Sequence, residues 1–164
     1  AQPGVMEETL ALMEETIKVF RDLGTPGLIV WDSVASTPLQ AELERDFDDR
    51  APRGERAAYL SRALPKLLNQ VKDSEVGLLF INHEREYPDA MPFQEQTYSP
   101  GGRALKHWCH VRLRIRRVAW YKVKGETAGI DAEIKCVKNK LAPPTKSARV
   151  RIVWETGEIL TLED

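Results

Sequence analysis

Leu28-Ile29-Val30-Trp31-Asp32-Ser33 is an apolar run that ends abruptly in a carboxylate and a hydroxyl. Large apolar residues set between the turn Gly24-Thr25-Pro26-Gly27 and a polar pair predict a strand buried on both faces, the pattern of a parallel sheet. The working ends of such strands are their carboxyl ends. A carboxylate there can hold the water shell of Mg²⁺ and a hydroxyl can orient phosphate or water, so Asp32 and Ser33 are candidate nucleotide and metal residues. A strand that merely stops at a turn-favouring aspartate fits the same residues.

On either side of this strand the sequence alternates helix and strand. Upstream, Met6, Leu10, Met13, Ile17 and Phe20 recur at helical spacing over residues 5–23, with Glu7 and Glu8 in the first turn and Gly24 as the stop. Downstream, residues 55–73 carry a second apolar stripe (Tyr59, Leu60, Ala63, Leu64, Leu67, Leu68, Val71), which Pro65 is expected to kink or restart. Val76 to Ile81 predicts a second buried strand, ending in Asn82, His83, Glu84 and Arg85. Two buried strands whose carboxyl ends deliver polar groups imply one shared crevice, the usual ligand site of an open α/β sheet.

Two stretches fit no regular element. Residues 42–56 mix Asp46, Asp48, Asp49, Pro52 and Gly54 with Arg50, Arg53 and Arg56, and read either as a binding loop or as a solvated connector. Residues 86–102 hold three prolines and a closing Gly101-Gly102, a long structureless segment of the kind that usually carries function. Phe93, Tyr87 and Tyr98 are available there to stack on bases or to tuck against the domain. Arg103 to His107 starts a short helix, with the Gly-Gly amides and Lys106 placed to meet phosphate.

Val111 to Arg116 alternates apolar and cationic residues, predicting a strand with one buried and one arginine-covered face. Ala132 to Val137 and Ala148 to Trp154 repeat the alternation around a basic loop, as an antiparallel pair. The acidic tail from Glu155 is expected to run out without a closing element.

The 164 residues, 42% hydrophobic and 30% charged, suffice for one domain with a sizeable core. No apolar run is long enough to cross a membrane and the N-terminus lacks the pattern of a signal peptide, so no membrane partner and a cytoplasmic location are expected. Cys109 and Cys136 lack metal-ligand spacing and read as reduced thiols. His107, Cys109 and His110 have ligand chemistry but no second cluster to complete a site. The net charge of −1 hides a split: residues 103–151 carry 14 Lys/Arg against three acids, the footprint of a polyanion partner.

Taken in this order, the residues resemble the RecA family of bacterial and phage homologous-recombination proteins, over essentially the whole of residues 1–164. The fold implied is α/β, a partial RecA-like (P-loop NTPase) core: a mostly parallel sheet flanked by helices with an antiparallel pair at the C-terminal end. Leu28 to Val34 resembles the Walker B strand, which puts Asp32 on the Mg²⁺ side of ATP and Ser33 beside it. Leu78-Leu79-Phe80-Ile81-Asn82 resembles the strand that senses the γ-phosphate; His83 stands where the family has glutamine.

Residues 86–102 resemble the second DNA-binding loop, so the resemblance implies DNA contacts for Arg85, Phe93, Gly101, Gly102, Arg103 and Lys106. Residues 46–56 resemble the first DNA-binding loop, with Arg53 and Arg56 as substitutes for the family's arginine, whose position falls near Ala58. Val137-Lys138-Asn139-Lys140 resembles the lysine pair that reaches a neighbouring subunit's ATP. The implied cofactors are ATP and Mg²⁺, and the implied partners are single-stranded DNA and like subunits in a filament.

No GxxxxGK[ST] occurs in the sequence, and the family's catalytic glutamate falls upstream of residue 1. The chain therefore reads as the C-terminal part of a RecA core. On that reading it is expected to have no catalytic residue of its own and to be inactive alone as an ATPase, with a separate P-loop-bearing chain or segment as a further expected partner. The alternative is a non-catalytic RecA-like DNA-binding or filament-interaction module.

Overall fold

The computed structural model of the chain describes residues 4–50, 52, 54–87, 91, 93 and 97–162. They form two compact units, Ala1–Trp108 and Cys109–Asp164.

In the first unit, α1 (Met6–Leu23) buries Met6, Leu10, Met13 and Ile17, the stripe expected from their spacing. Glu7 and Glu8 in its first turn and Arg21 in its last complement the helix dipole, and Gly24 closes it at φ 61°, a left-handed conformation that glycine adopts without steric cost. The chain then enters β1 (Gly27–Trp31), crosses the short helix α2 (Gln40–Leu43), and continues through α3 (Glu55–Val71) into β2 (Val76–Phe80). β1 and β2 pair in parallel, Gly27 opposite Val76 through Trp31 opposite Phe80. The crossover through α3 is what a parallel pair requires.

One face of this pair makes the core. Ile29, Trp31, Val76, Leu78 and Phe80 meet the stripes of α1 and α3; Met6, Ile17, Leu60 and Leu64 on those helices and Val34 in the turn after β1 are fully buried, each contributing about 1.5–3 kcal/mol. The other face differs from expectation. Leu28 is 64% exposed, and Val30 and Leu79 are exposed with it, because within this unit no described element covers that side. The strand predicted to be buried on both faces is buried on one.

Pro65 neither kinks α3 enough to divide it nor starts a new helix: Glu55–Val71 is assigned as one element with Pro65 inside. Leu64 directly before it and Leu67 two residues after it are buried in the core, and that packing holds the helix together across the missing N–H. Beyond β2, the two-residue strands β3 (Arg85–Glu86) and β4 (Thr97–Tyr98) pair antiparallel, and α4 (Gly102–Trp108) buries Ala104 in the same core.

The second unit is one antiparallel sheet in the order β5 (Val111–Val123), β6 (Glu126–Asn139), β7 (Ser147–Val153), β8 (Ile159–Leu162). The predicted pair is present as β6 and β7, with Ile134 opposite Ala148. Three expectations are corrected. Antiparallel pairing dominates the chain, and the mostly parallel sheet reduces to β1 and β2. The acidic tail does not run out: it turns at Glu155-Thr156-Gly157 and returns as β8 along β7. Over the first five residues of β5 the apolar residues are the exposed ones, Ile115 at 65%, while Arg112 and Arg114 are half-buried. Inside this unit no described element covers the face formed by Leu113, Ile115, Cys136 and Ile134. The opposite face is laced by Arg116 to Glu133 at 2.7 Å and by a two-point Arg151–Asp131 pair at 2.7 and 2.9 Å. Arg151 holds the Asp131 carboxyl below its ordinary range, although partial burial pushes the other way.

Among the described residues no helix is long and apolar enough to cross a membrane, no group of three or more His, Cys, Asp or Glu is placed to hold a metal, and the cysteines form no disulfide.

Because the helix carries an interior proline, Pro65→Ala restores the amide that can donate to the Ser61 carbonyl. Urea unfolding should show a gain of about 1–3 kcal/mol. A loss of stability would mean that the proline ring's packing outweighs the missing hydrogen bond.

Candidate functional site

The parallel register brings the two strand ends side by side, and hydrogen bonds carry the pairing past the strands themselves. Ile81 N donates to Trp31 O at 2.9 Å and Val34 N donates to Ile81 O at 3.0 Å. Asp32 and Ser33 therefore follow directly on a strand end paired with the segment Ile81-Asn82, so the two polar strand ends expected from the sequence are neighbours. The peptide between Asp32 and Ser33 is cis.

The two polar residues of the opening stretch behave differently. Ser33 is buried, its hydroxyl 3.0 Å from that of Ser36, and its carbonyl accepts from Ser36 Oγ and Thr37 Oγ1. Thr37 Oγ1 in turn accepts from Trp31 Nε1 at 2.9 Å. This closed network anchors the turn and leaves Asp32, exposed at its head, as the member of the pair that faces solvent. A single exposed carboxylate suits Mg²⁺, which keeps most of its waters and takes its remaining ligands from phosphates.

At the end of β2 the carboxamide of Asn82 crosses to the far side of the following loop, with Nδ2 donating to Pro100 O at 2.8 Å. His83 is exposed and its backbone N–H donates to Asn82 Oδ1. Above them the loop has a defined stem: Arg85 opposite Tyr98, Glu86 opposite Thr97, Tyr87 and Tyr98 with ring centroids 4.6 Å apart, and Thr97 Oγ1 3.3 Å from Glu84. Arg85 is exposed on this stem and Phe93 is 84% exposed beyond it. Where the loop rejoins the core, Gly101 and Gly102 take φ values of 87° and 68° and lead into α4, which carries exposed Arg103 and half-buried Lys106.

The other predicted loop is held at both ends by ion pairs. Arg56 Nε donates to both Glu42 oxygens at 2.8 Å and its Nη1 donates to Ala35 O; Arg45 Nη2 pairs with Glu55 at 3.1 Å. Arg56, expected to reach for phosphate, thus has its guanidinium engaged within the chain. Arg53 lies outside the described residues. Burial would raise the Glu42 pKa, but the Arg56 guanidinium and the Leu39 N–H outweigh it and hold the carboxyl below its ordinary value.

In the second unit Lys138 lies opposite Arg112 near the end of β6, and Lys140 follows the strand, exposed, its N–H donating to His110 O at 2.9 Å. Asn139 Oδ1 accepts from the Leu141 and Ala142 amides, which turns the chain away directly after the lysines.

Residues 1–159 match the family model described as the RecA N-terminal domain. The chain belongs to the RecA family. It is 38% identical to Protein RecA of Oceanobacillus iheyensis and to that of Aquifex aeolicus, in each case over 96% of this chain and 44% of the relative. With Protein RecA of Bacillus subtilis the identity is 36%, covering 99% of this chain and 46% of the relative. The chain thus spans under half the length of these RecA proteins. What the sequence did not reveal is the Asn82 to Pro100 bond and the paired charges that clamp the first loop. Asn82 was visible as a polar strand end, whereas partners 14 and 18 residues apart leave no periodic trace.

The clamp is pH-sensitive in a defined direction. A carboxyl with a depressed native pKa contributes stability above its unfolded value and loses it as pH falls through the native one. Acid titration of stability should therefore show Glu42→Gln costing about 1–2 kcal/mol at neutral pH and progressively less below the ordinary carboxylate range. A pH-independent difference would separate Glu42 from the ion pair.

Proposed function

We propose that this chain is part of a RecA-like recombinase. It works in DNA recombination and repair, within a P-loop NTPase core that binds ATP, Mg²⁺ and single-stranded DNA in a filament of like subunits and promotes homologous pairing and strand exchange. The observation that supports this reading best is the adjacency of the two strand ends: an exposed carboxylate at the end of β1 stands next to a strand end bonded to the base of a long loop. Such an arrangement can link what happens at a nucleotide to what happens at DNA.

In this proposal Asp32 holds the hydrated Mg²⁺ that accompanies ATP, with Ser33 shaping the turn beneath it and His83 beside them. Arg85, Phe93, Gly101, Gly102, Arg103 and Lys106 face single-stranded DNA through phosphate contacts and base stacking, together with the first loop's Arg53. Arg56 serves that loop by fixing its end. Lys138 and Lys140 serve a neighbouring subunit's triphosphate, where compact cations meet phosphate oxygens well.

The absence of GxxxxGK[ST] from the sequence favours two further points. This chain does not hydrolyse ATP by itself, and the phosphate-cradling loop comes from a separate segment or chain. The same absence keeps a second reading in view, a RecA-like module that binds DNA or filaments without turnover.

Two measurements test the proposal. Phosphate release by the purified chain should stay at background; turnover abolished by Asp32→Ala would overturn the claim that the chain is inactive alone. A single-stranded oligonucleotide should bind at about 50 mM salt and weaken steeply by about 200 mM, as counterion release demands. No measurable affinity at the lower salt would remove DNA from the reading.

A further inference from the structure

Asn82 commits both halves of its carboxamide. Oδ1 accepts from the His83 N–H at 3.1 Å and Nδ2 donates to Pro100 O at 2.8 Å, a pattern that only one orientation of the amide satisfies. The bond joins the end of a core strand to the far foot of the loop. Immediately beyond Pro100 the backbone has no room to spare. A Cβ at Gly101 would lie 2.9 Å from Leu60 Cδ1, and one at Gly102 would lie 2.6 Å from Ala57 Cβ. The loop exit is thus seated directly against the first two turns of α3.

Those same turns hold the other loop. Glu55 pairs with Arg45, and Arg56 pairs with Glu42 and the Ala35 carbonyl. A continuous path of contacts runs from the end of β2 through Asn82, Pro100, the glycine pair and α3 to the segment 42–56. Close-packed contacts of this kind transmit displacement, most directly at Gly102, which faces the short and inflexible side chain of Ala57.

We propose that Asn82 is a positioning residue that makes the two loops one mechanical unit: it seats Pro100 and the glycine pair on Ala57 and Leu60, and α3 relays that seating to the Glu42–Arg56 clamp. The significance for DNA rests on the reading of both loops as DNA-binding; the coupling itself does not.

Asn82→Asp tests it, because the variant keeps the acceptor for the His83 N–H and loses the donor to Pro100. Amide hydrogen exchange on the whole chain should quicken roughly tenfold at Arg85, Glu86, Thr97 and Tyr98, and also at Glu42, Leu43, Glu44 and Ala58, while α1 stays protected. Acceleration confined to residues 82–102 overturns the proposal, and so does equal acceleration everywhere.

Ala57→Gly provides the second arm, since it opens the contact with Gly102 and leaves the clamp in place. In that background the effect of Asn82→Asp on residues 42–44 should shrink to what the remaining Gly101–Leu60 seat carries; strictly additive effects of the two substitutions overturn the coupling. Oligonucleotide titration separates the two ideas. Weaker binding by Asn82→Asp is expected. Failure of the unsubstituted chain to bind any single strand removes the DNA reading, while the exchange pattern still decides the coupling.

Discussion

The parallel pairing of β1 with β2 is the constraint on which the first unit depends. Its register sets Trp31 opposite Phe80, and two further backbone bonds beyond that pair fix where the polar ends emerge. A slip of one residue would exchange Ile29 and Trp31 for Leu28 and Val30 on the core face, because side chains alternate across a strand. It would also move Asp32 away from Asn82. Core packing and site geometry are therefore determined together, by α1 and α3 pressing on one face of two strands.

From that anchor the loops are positioned by polar contacts of short reach. Ser33, Ser36, Thr37 and the Trp31 indole form a network that ends β1 in a rigid turn. The carboxamide of Asn82 ends β2 in a bond to Pro100. The charged segment between α2 and α3 is spanned by two arginine–carboxylate pairs, and these are partly shielded from water, which makes them worth more than exposed pairs. Residues rich in charge thus serve here as fasteners, a role that composition alone does not distinguish from ligand binding.

Much of this was legible in the sequence. The buried stripe of α1, the strand ending at Asp32, the second strand ending at Asn82 and the glycine pair closing the long loop all follow from local periodicity or turn chemistry, and the structure has them in those places. Elements that depend on distant partners were not legible. β5 runs on to Val123 where the strict alternation stops at Arg116, because a register shift between Arg117 and Ala119 absorbs the irregular residues. β8 is short and follows an acidic turn, so its strand character comes from pairing with β7. The exposure of Leu28, Val30 and Ile115 reflects what covers a sheet, which no strand's own pattern can state.

The spacing of arginines along β5 has a consequence of another kind. Among the described residues β5 pairs only with β6, so its other edge carries backbone donors and acceptors that no described strand of this sheet takes up. Such an edge invites a second molecule to add a strand and begin aggregation. Arg112, Arg114 and Arg116 stand at alternate positions along that strand, and charged side chains so placed are a means by which edge strands resist such pairing, even where, as at Arg116, an ion pair with Glu133 offsets part of the charge.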